Sequence, residues 1–199
     1  MRIGVDFDNT IVCYDQLFHR IALERGLIPA SLPATKGHVR DMLRRMGREE
    51  EWTEMQGQVY GKRLHEAEPF AGVLEFFTLC RERGWIAFII SHRTRYPFVG
   101  EQYDLHDAAQ RWLTSHGFYD PVRIGLSAGQ VHFELSKQAK LDRIASVGCD
   151  YFIDDLPEFL LEPGFPAGVK RILFDPNGAA GDELHRATSW RAIEAVLAQ

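Results

Sequence analysis

Cysteine is scarce in this chain: three among 199 residues, Cys13, Cys80 and Cys149. An odd number at wide spacing gives neither a disulfide framework nor a cysteine-based zinc site, and it fits a reducing compartment. No apolar run reaches membrane-spanning length, and Met1 leads straight into Ile3-Gly4-Val5 without a signal-peptide layout. A cytoplasmic protein with no membrane partner is expected. Strong charge of one sign is missing too, the formal net charge being −5. That argues against nucleic acid as a partner, though not against a small basic pocket. The eight histidines show no spacing of the His-Glu-x-x-His kind. The string Gly57-Gln58-Val59-Tyr60-Gly61-Lys62-Arg63 is one residue short of a phosphate-binding P-loop, lacks the following Ser/Thr and follows no strand pattern. Trp52, Trp85, Trp112 and Trp190 read as packing residues rather than a base-stacking platform. There are no internal repeats and no low-complexity segments.

What is present is an α/β pattern. Hydrophobic residues make up 45% of the chain and charged residues 26%, the composition of a globular protein with room for one ordinary core and a small inserted subdomain. Short apolar runs at 3–6, 85–91, 122–126, 151–154 and 171–175 alternate with helical patterns at 70–83, 107–116, 136–147 and 190–197. Ser136 and Ser189 are placed to cap two of these helices. Runs apolar on both faces suit strands buried between helix layers. The expected fold is α/β, a Rossmann-like doubly wound parallel sheet. Residues 14–68 break the alternation: charged and helical at 17–25, 38–46 and 50–66, punctuated by Pro29, Pro33 and Gly37. They read as a helical cap inserted into a core made of 1–13 and 69–199, sitting over the C-terminal edge of the first strand.

Ligands of open parallel sheets bind outside the carboxyl ends of the strands. The first run ends in Asp6-Phe7-Asp8-Asn9-Thr10. Two carboxylates two residues apart can face one site, one attacking phosphorus and the other exchanging protons. A solvated turn would use the same residue types. The second run ends in Ser91-His92-Arg93-Thr94, where a hydroxyl can donate to a phosphoryl oxygen. Lys140, near a helix start, can offset negative charge, although Lys137 lies one turn away on the same helix. The fourth run ends in Asp154-Asp155, adjacent acids that repel unless a hard divalent cation lies between them. Asp6, Asp8, Asp154 and Asp155 together put four negative charges in one pocket. A Mg²⁺ and Lys140 would neutralise part of that charge, as phosphoryl transfer requires.

Asp-x-Asp-x-Thr, then Ser, then Lys, then Asp-Asp resembles the four motifs of the haloacid dehalogenase superfamily, over residues 3–10 and 86–175, with the insertion where that superfamily carries its helical C1 cap. The resemblance implies an Mg²⁺-dependent phosphatase acting through an aspartyl phosphate on a small phosphorylated molecule. Asp6 would be nucleophile, Asp8 general acid/base, Ser91 the phosphate-binding hydroxyl and Lys140 the catalytic lysine. Asp6, Asp8 (through its carbonyl), Asp154 and Asp155 would form the metal site. Asn9, Thr10, His92 and Arg93 would contact phosphate or substrate, with Arg93 the leading substrate contact. Asn9 stands where the superfamily more often has glycine, and asparagine tolerates left-handed backbone. A dehalogenase of this superfamily would lack Asp8. A phosphotransferase or phosphomutase, a silent Mg²⁺ or phosphate-binding module, and a receiver-type domain are the competing readings. Monomer and homodimer are both compatible with the sequence. Lys36, His38, Arg40, Arg44, Arg45, Lys62 and Arg63 of the cap, with Arg95, Tyr96 and Tyr103, are further candidates near an anionic substrate.

Overall fold

The computed structural model describes residues 1–178 and 184–197. Its main sheet has six strands: β1 (Arg2–Val5), β4 (Ile86–His92), β5 (Val131–Glu134), β6 (Tyr151–Asp154), β7 (Lys170–Phe174) and β8 (His185–Ala187). They lie in the order β5-β4-β1-β6-β7-β8, every neighbouring pair parallel. The chain builds outward from β1 in one direction and returns to build in the other, which is the doubly wound Rossmann-like arrangement. The switch point flanks β1, between β4 and β6.

Central strands are apolar on both sides because helices cover both faces. Ile3, Val5, Ile89, Ile90, Phe152, Ile153 and Ile172 are all buried. Among the described residues, four α-helices belong to this unit: α4 (Val73–Glu82), α6 (Lys137–Ser146), α7 (Pro157–Leu160) and α8 (Trp190–Leu197). The α4 helix buries Val73, Phe76, Phe77 and Cys80, the spacing seen in the sequence. The Ser136 hydroxyl accepts from the Ala139 N–H at the start of α6, and the Ser189 hydroxyl accepts from the Ala192 N–H at the start of α8. Gly4 is required in β1: a Cβ there would stand 2.5 Å from Cδ2 of Phe152.

One expected strand is corrected. Residues 122–126 form turns, and the strand beside β4 is β5, a few residues later. The backbone of 122–126 is spent on local bonds, with Arg123 N–H donating to Asp120 O and Leu126 N–H to Phe118 O. Asp120 and Pro121 start the turn, and Gly125 takes a left-handed φ of 72°. The sequence reading also passed over β8, a three-residue edge strand.

The chain divides into two compact units. The first, just described, is Met1–Val12, Pro69–Arg93 and His116–Gln199; the second is Cys13–Glu68 with Thr94–Ser115. The second contains α1 (Asp15–Glu24), α2 (Lys36–Arg45), α3 (Glu49–Gly57) and α5 (Leu105–Ser115). A π-helical turn at Gln58–Lys62 continues α3, and a 3-10 turn follows at Leu64–Glu66. Tyr14, Phe18, Trp52 and Tyr60 form its aromatic centre, with Phe18 and Trp52 stacked at 4.8 Å. Trp112 of α5 donates its indole N–H to Ala67 O, tying the two segments of this unit together. A two-stranded ribbon, β2 (Val12–Cys13) with β3 (Glu68–Pro69), marks two of the places where the chain passes between units. Among the described residues, no helix is long and apolar enough to cross a membrane.

Candidate active site

The site grows from β1. Its ladder continues one residue beyond the strand, with Asp6 N–H donating to Ile153 O at 2.9 Å, so Asp6 leaves the sheet in fixed register with β6. The chain then turns back sharply. Phe7 O accepts from both Ile11 and Val12 N–H, and Asn9 holds a left-handed φ of 58° at the tip. Asparagine accepts that conformation at small cost because its short polar side chain bonds locally. Thr10 is fully buried, its hydroxyl 3.5 Å from Oδ1 of Asp155, which links this loop to the one after β6.

The β6 strand delivers Asp154 at its last position, fully buried, with Oδ1 accepting from the Leu156 N–H. Lys140 enters from the first turn of α6. Its Nζ lies 2.6 Å from Oδ1 of Asp6 and 2.6 Å from Oδ2 of Asp154, and its side chain is 3% exposed. Phe159 of α7 closes the ammonium from another side, its ring centroid 4.1 Å away, and Phe152 lies at 5.4 Å. Lys137 points elsewhere, half exposed and 3.8 Å from Glu162. Asp6, Asp154 and Asp155 each bring one carboxylate oxygen within 4.8 Å of the others.

Charge is costly here, and the titration behaviour reflects it. Burial pushes the Asp6 carboxyl up to about 7; Lys140 pulls it down, while Asp154 and Asp8 add to the rise. Burial also works against the Lys140 ammonium, but Asp154 and Asp6 outweigh it and hold the lysine above its ordinary value. One ammonium between three clustered carboxylates leaves net negative charge in low dielectric. The ammonium occupies one oxygen each of Asp6 and Asp154, and each carboxylate has further lone pairs to offer. A cluster made wholly of carboxylate oxygens fits a hard cation such as Mg²⁺.

Asp8 stands at the same loop, and its partner is Arg93. One guanidinium nitrogen, Nη1, donates to Oδ1 at 2.6 Å and to Oδ2 at 2.8 Å. Ser91 is buried near the end of β4, two positions beyond the pairing of Ile89 with Val5. His92, between them, is exposed. Partial desolvation and then the Lys140 charge hold its imidazole below the ordinary range.

Direct contacts thus join Asp6, Lys140 and Asp154, link Thr10 to Asp155, and pair Asp8 with Arg93, while Asp155 lies in one carboxylate cluster with Asp6 and Asp154; Asn9 shapes the loop through its backbone. Several cations of the second unit are taken up in surface ion pairs: Arg40 with Asp41, Arg44 with Glu49, Lys62 with Glu101, and Arg63 with Glu24 and Glu66. Lys36 lies over the rings of Phe18 and Tyr60. The sequence reading missed Phe159, since nothing in an apolar helix residue separates a lysine-facing ring from an ordinary core ring.

No protein-family model and no curated protein matches the chain. Solved structures do. A dehalogenase is similar over 100% of this chain and 97% of its own, with TM-score 0.59 and 13% identity. A haloacid dehalogenase-type hydrolase from Bacillus subtilis, bound to magnesium, is similar over 98% and 97%, with TM-score 0.55 and 11% identity. A phosphatase of the same type from Thermococcus onnurineus is similar over 98% and 97%, with TM-score 0.51 and 11% identity. The fold is therefore that of the haloacid dehalogenase superfamily, as the motif order implied.

Proposed function

We propose that the protein is an Mg²⁺-dependent phosphomonoester hydrolase that acts through an aspartyl phosphate on Asp6. The observation that carries this reading is the Lys140 ammonium, 2.6 Å from both Asp6 and Asp154 in a buried cluster of carboxylates at adjoining strand ends. Asp6, Asp154 and Asp155 would hold the Mg²⁺, which when bound supplies positive charge against the phosphoryl oxygens. The remaining work belongs to the chain. Asp6 attacks phosphorus, forming one P–O bond as the ester P–O bond breaks, and Lys140 keeps its carboxylate oriented and offsets its charge. Asp8 gives a proton to the departing oxygen, then takes one from the water that cleaves the aspartyl phosphate and regenerates Asp6. Ser91 donates its hydroxyl to a phosphoryl oxygen.

Asp8 favours phosphoryl transfer over the carbon–halogen chemistry of one structural neighbour. A halide leaves without a proton, so that reaction has no use for an acid two residues after the nucleophile. The substrate we propose is a small phosphorylated molecule, handled in a reducing cytoplasm where the free thiols of Cys13, Cys80 and Cys149 persist. The test is a phosphoester panel screened with Mg²⁺ for release of inorganic phosphate. Asp6→Asn should abolish turnover while the far-UV circular dichroism stays unchanged. Turnover that survives the substitution would reject Asp6 as nucleophile, and isomer formation without phosphate release would point to a mutase.

A further inference from the structure

Arg93 is the residue whose placement departs most from a substrate contact. It is as buried as Asp6, Ser91 and Lys140, and what sets it apart is that its guanidinium is already engaged by a carboxylate. Its backbone continues the sheet, the N–H donating to Glu134 O at 2.8 Å one residue past the end of β4. Its guanidinium lies 5.5 Å from the centroid of the Phe7 ring, which is itself fully buried and meets Phe133 edge to face. Three features therefore fix the arginine from the backbone outward: a ladder bond, an aromatic floor and a carboxylate. That carboxylate is Asp8, and one nitrogen meets both of its oxygens.

A short carboxylate on a turn has free rotation about two side-chain bonds. A general acid works only when its oxygen lies within hydrogen-bond reach of the departing atom. A cation centred between the two oxygens removes most of that rotation.

We infer that Arg93 is a positioning residue: it clamps the Asp8 carboxylate in the orientation from which Asp8 exchanges protons with the leaving group, and it does not itself bind the substrate's phosphate. This rests on the phosphatase reading for what Asp8 does, but the clamp itself is a statement about geometry.

The experiment separates the two. Turnover of an alkyl phosphate, whose alkoxide must be protonated to leave, is compared with that of 4-nitrophenyl phosphate, whose phenolate departs without help. A correctly placed general acid contributes roughly 10²- to 10⁴-fold. Arg93→Met should therefore lower the ratio of alkyl to aryl kcat/KM, which reports departure of the leaving group and not the shared hydrolysis of the aspartyl phosphate, by about 10²-fold or more, as Asp8→Asn should. The double variant should be no worse than Asp8→Asn alone, because residues acting as one unit are not additive. Arg93→Lys, which can set one ammonium between the same two oxygens, should restore much of the ratio. If Arg93→Met does not fold, Arg93→Gln carries the same comparison. An equal loss of kcat/KM on both esters with KM unchanged would mean a merely structural role, and a raised KM for both at unchanged ratio would mean phosphate binding; either result overturns the clamp. Crystal structures of the Arg93→Met or Arg93→Gln protein give a readout independent of turnover. Asp8 should lose its single orientation there and keep it in Arg93→Lys. An unmoved Asp8 in the neutral variant would overturn the inference. If the wild type turns over neither ester with Mg²⁺, the phosphatase reading falls while the crystals still decide the clamp.

Discussion

Lys140 shows what one residue can carry. Buried ions are tolerated when paired, and removing one member of a buried pair costs about 3–5 kcal/mol because the other is left uncompensated. Lys140→Ala should therefore melt well below the wild type and lose at least about 10²-fold in rate, whereas Lys137→Ala should change neither beyond about twofold. Thermal unfolding and steady-state kinetics on the two proteins check this. Asp6 gives a pH dependence. Folded Asp6 holds its proton up to about 7, while an unfolded aspartate releases it near 3.8. Its stabilising contribution is full below the lower value and declines as the pH rises to the upper one. In the presence of a chelator, the melting temperature should fall between pH 5 and pH 7 for this reason, and Asp6→Asn should flatten that part of the curve. If the carboxylate cluster holds Mg²⁺ in the folded state, as proposed, added Mg²⁺ should raise the neutral-pH value. The raised Lys140 works at the other end of the scale: its contribution is present below the ordinary lysine value and disappears as the pH climbs past its own.

At this scale much was legible. Asp6, Asp8, Asp154 and Asp155 stand at the ends of apolar runs, where a carboxylate has no packing role. Lys137 and Lys140 share a helix face to within a turn, so periodicity alone could not choose between them. Tertiary packing turns Lys140 toward Asp6 and Asp154 beside the rings of Phe152 and Phe159, and leaves Lys137 near Glu162. Arg93 was legible as a neighbour of the site but not in its orientation, because strand alternation says which face a side chain takes and not which partner it meets.

Among elements, the apolar central strands were easy to read and the edges were not. Strand β5 has the sequence Val131-His132-Phe133-Glu134 and lies at the sheet margin, half polar, as long as β1 and β6 but without their apolar continuity. The more apolar run at 122–126 was overruled by its turn residues. The π-helical turn at Gln58–Lys62 answers a different question, why glycines stand at 57 and 61. A Cβ on Gly57 would come within 2.9 Å of Pro97 Cβ, and one on Gly61 within 2.8 Å of Tyr103 Cβ. They serve close packing between the two segments of the second unit rather than a phosphate cradle. Gly61→Ala should destabilise the protein by about 1–3 kcal/mol through overpacking, measured by urea denaturation. Gly4→Ala should act in the same sense, since Phe152 would have to leave its place beneath Lys140.

For the whole molecule, the alternation of strands and helices was enough to name a doubly wound sheet, and the alternation breaks at 14–68, a stretch that lies within the second compact unit. Sequence order hid that the inserted unit also takes in Thr94–Ser115. The α5 pattern looks like any covering helix of an α/β fold, with Leu105, Ala108, Ala109, Trp112 and Leu113 buried. The Trp112 bond to Ala67 and the close approach of Leu105 to Gly61 reveal its partners.

That division has a consequence for how such a protein can change over evolutionary time. A unit drawn from one continuous stretch can be lost, gained or exchanged in a single recombination event. This one is stitched from two stretches separated by a helix and a strand of the other unit. Excising residues 14–68 would strip Trp112 of its hydrogen-bond acceptor and leave the apolar face of α5 bare, so the shortened chain should aggregate, as light scattering would register. Heredity can remodel this unit residue by residue, but replacing it wholesale would take two coordinated crossovers in one gene.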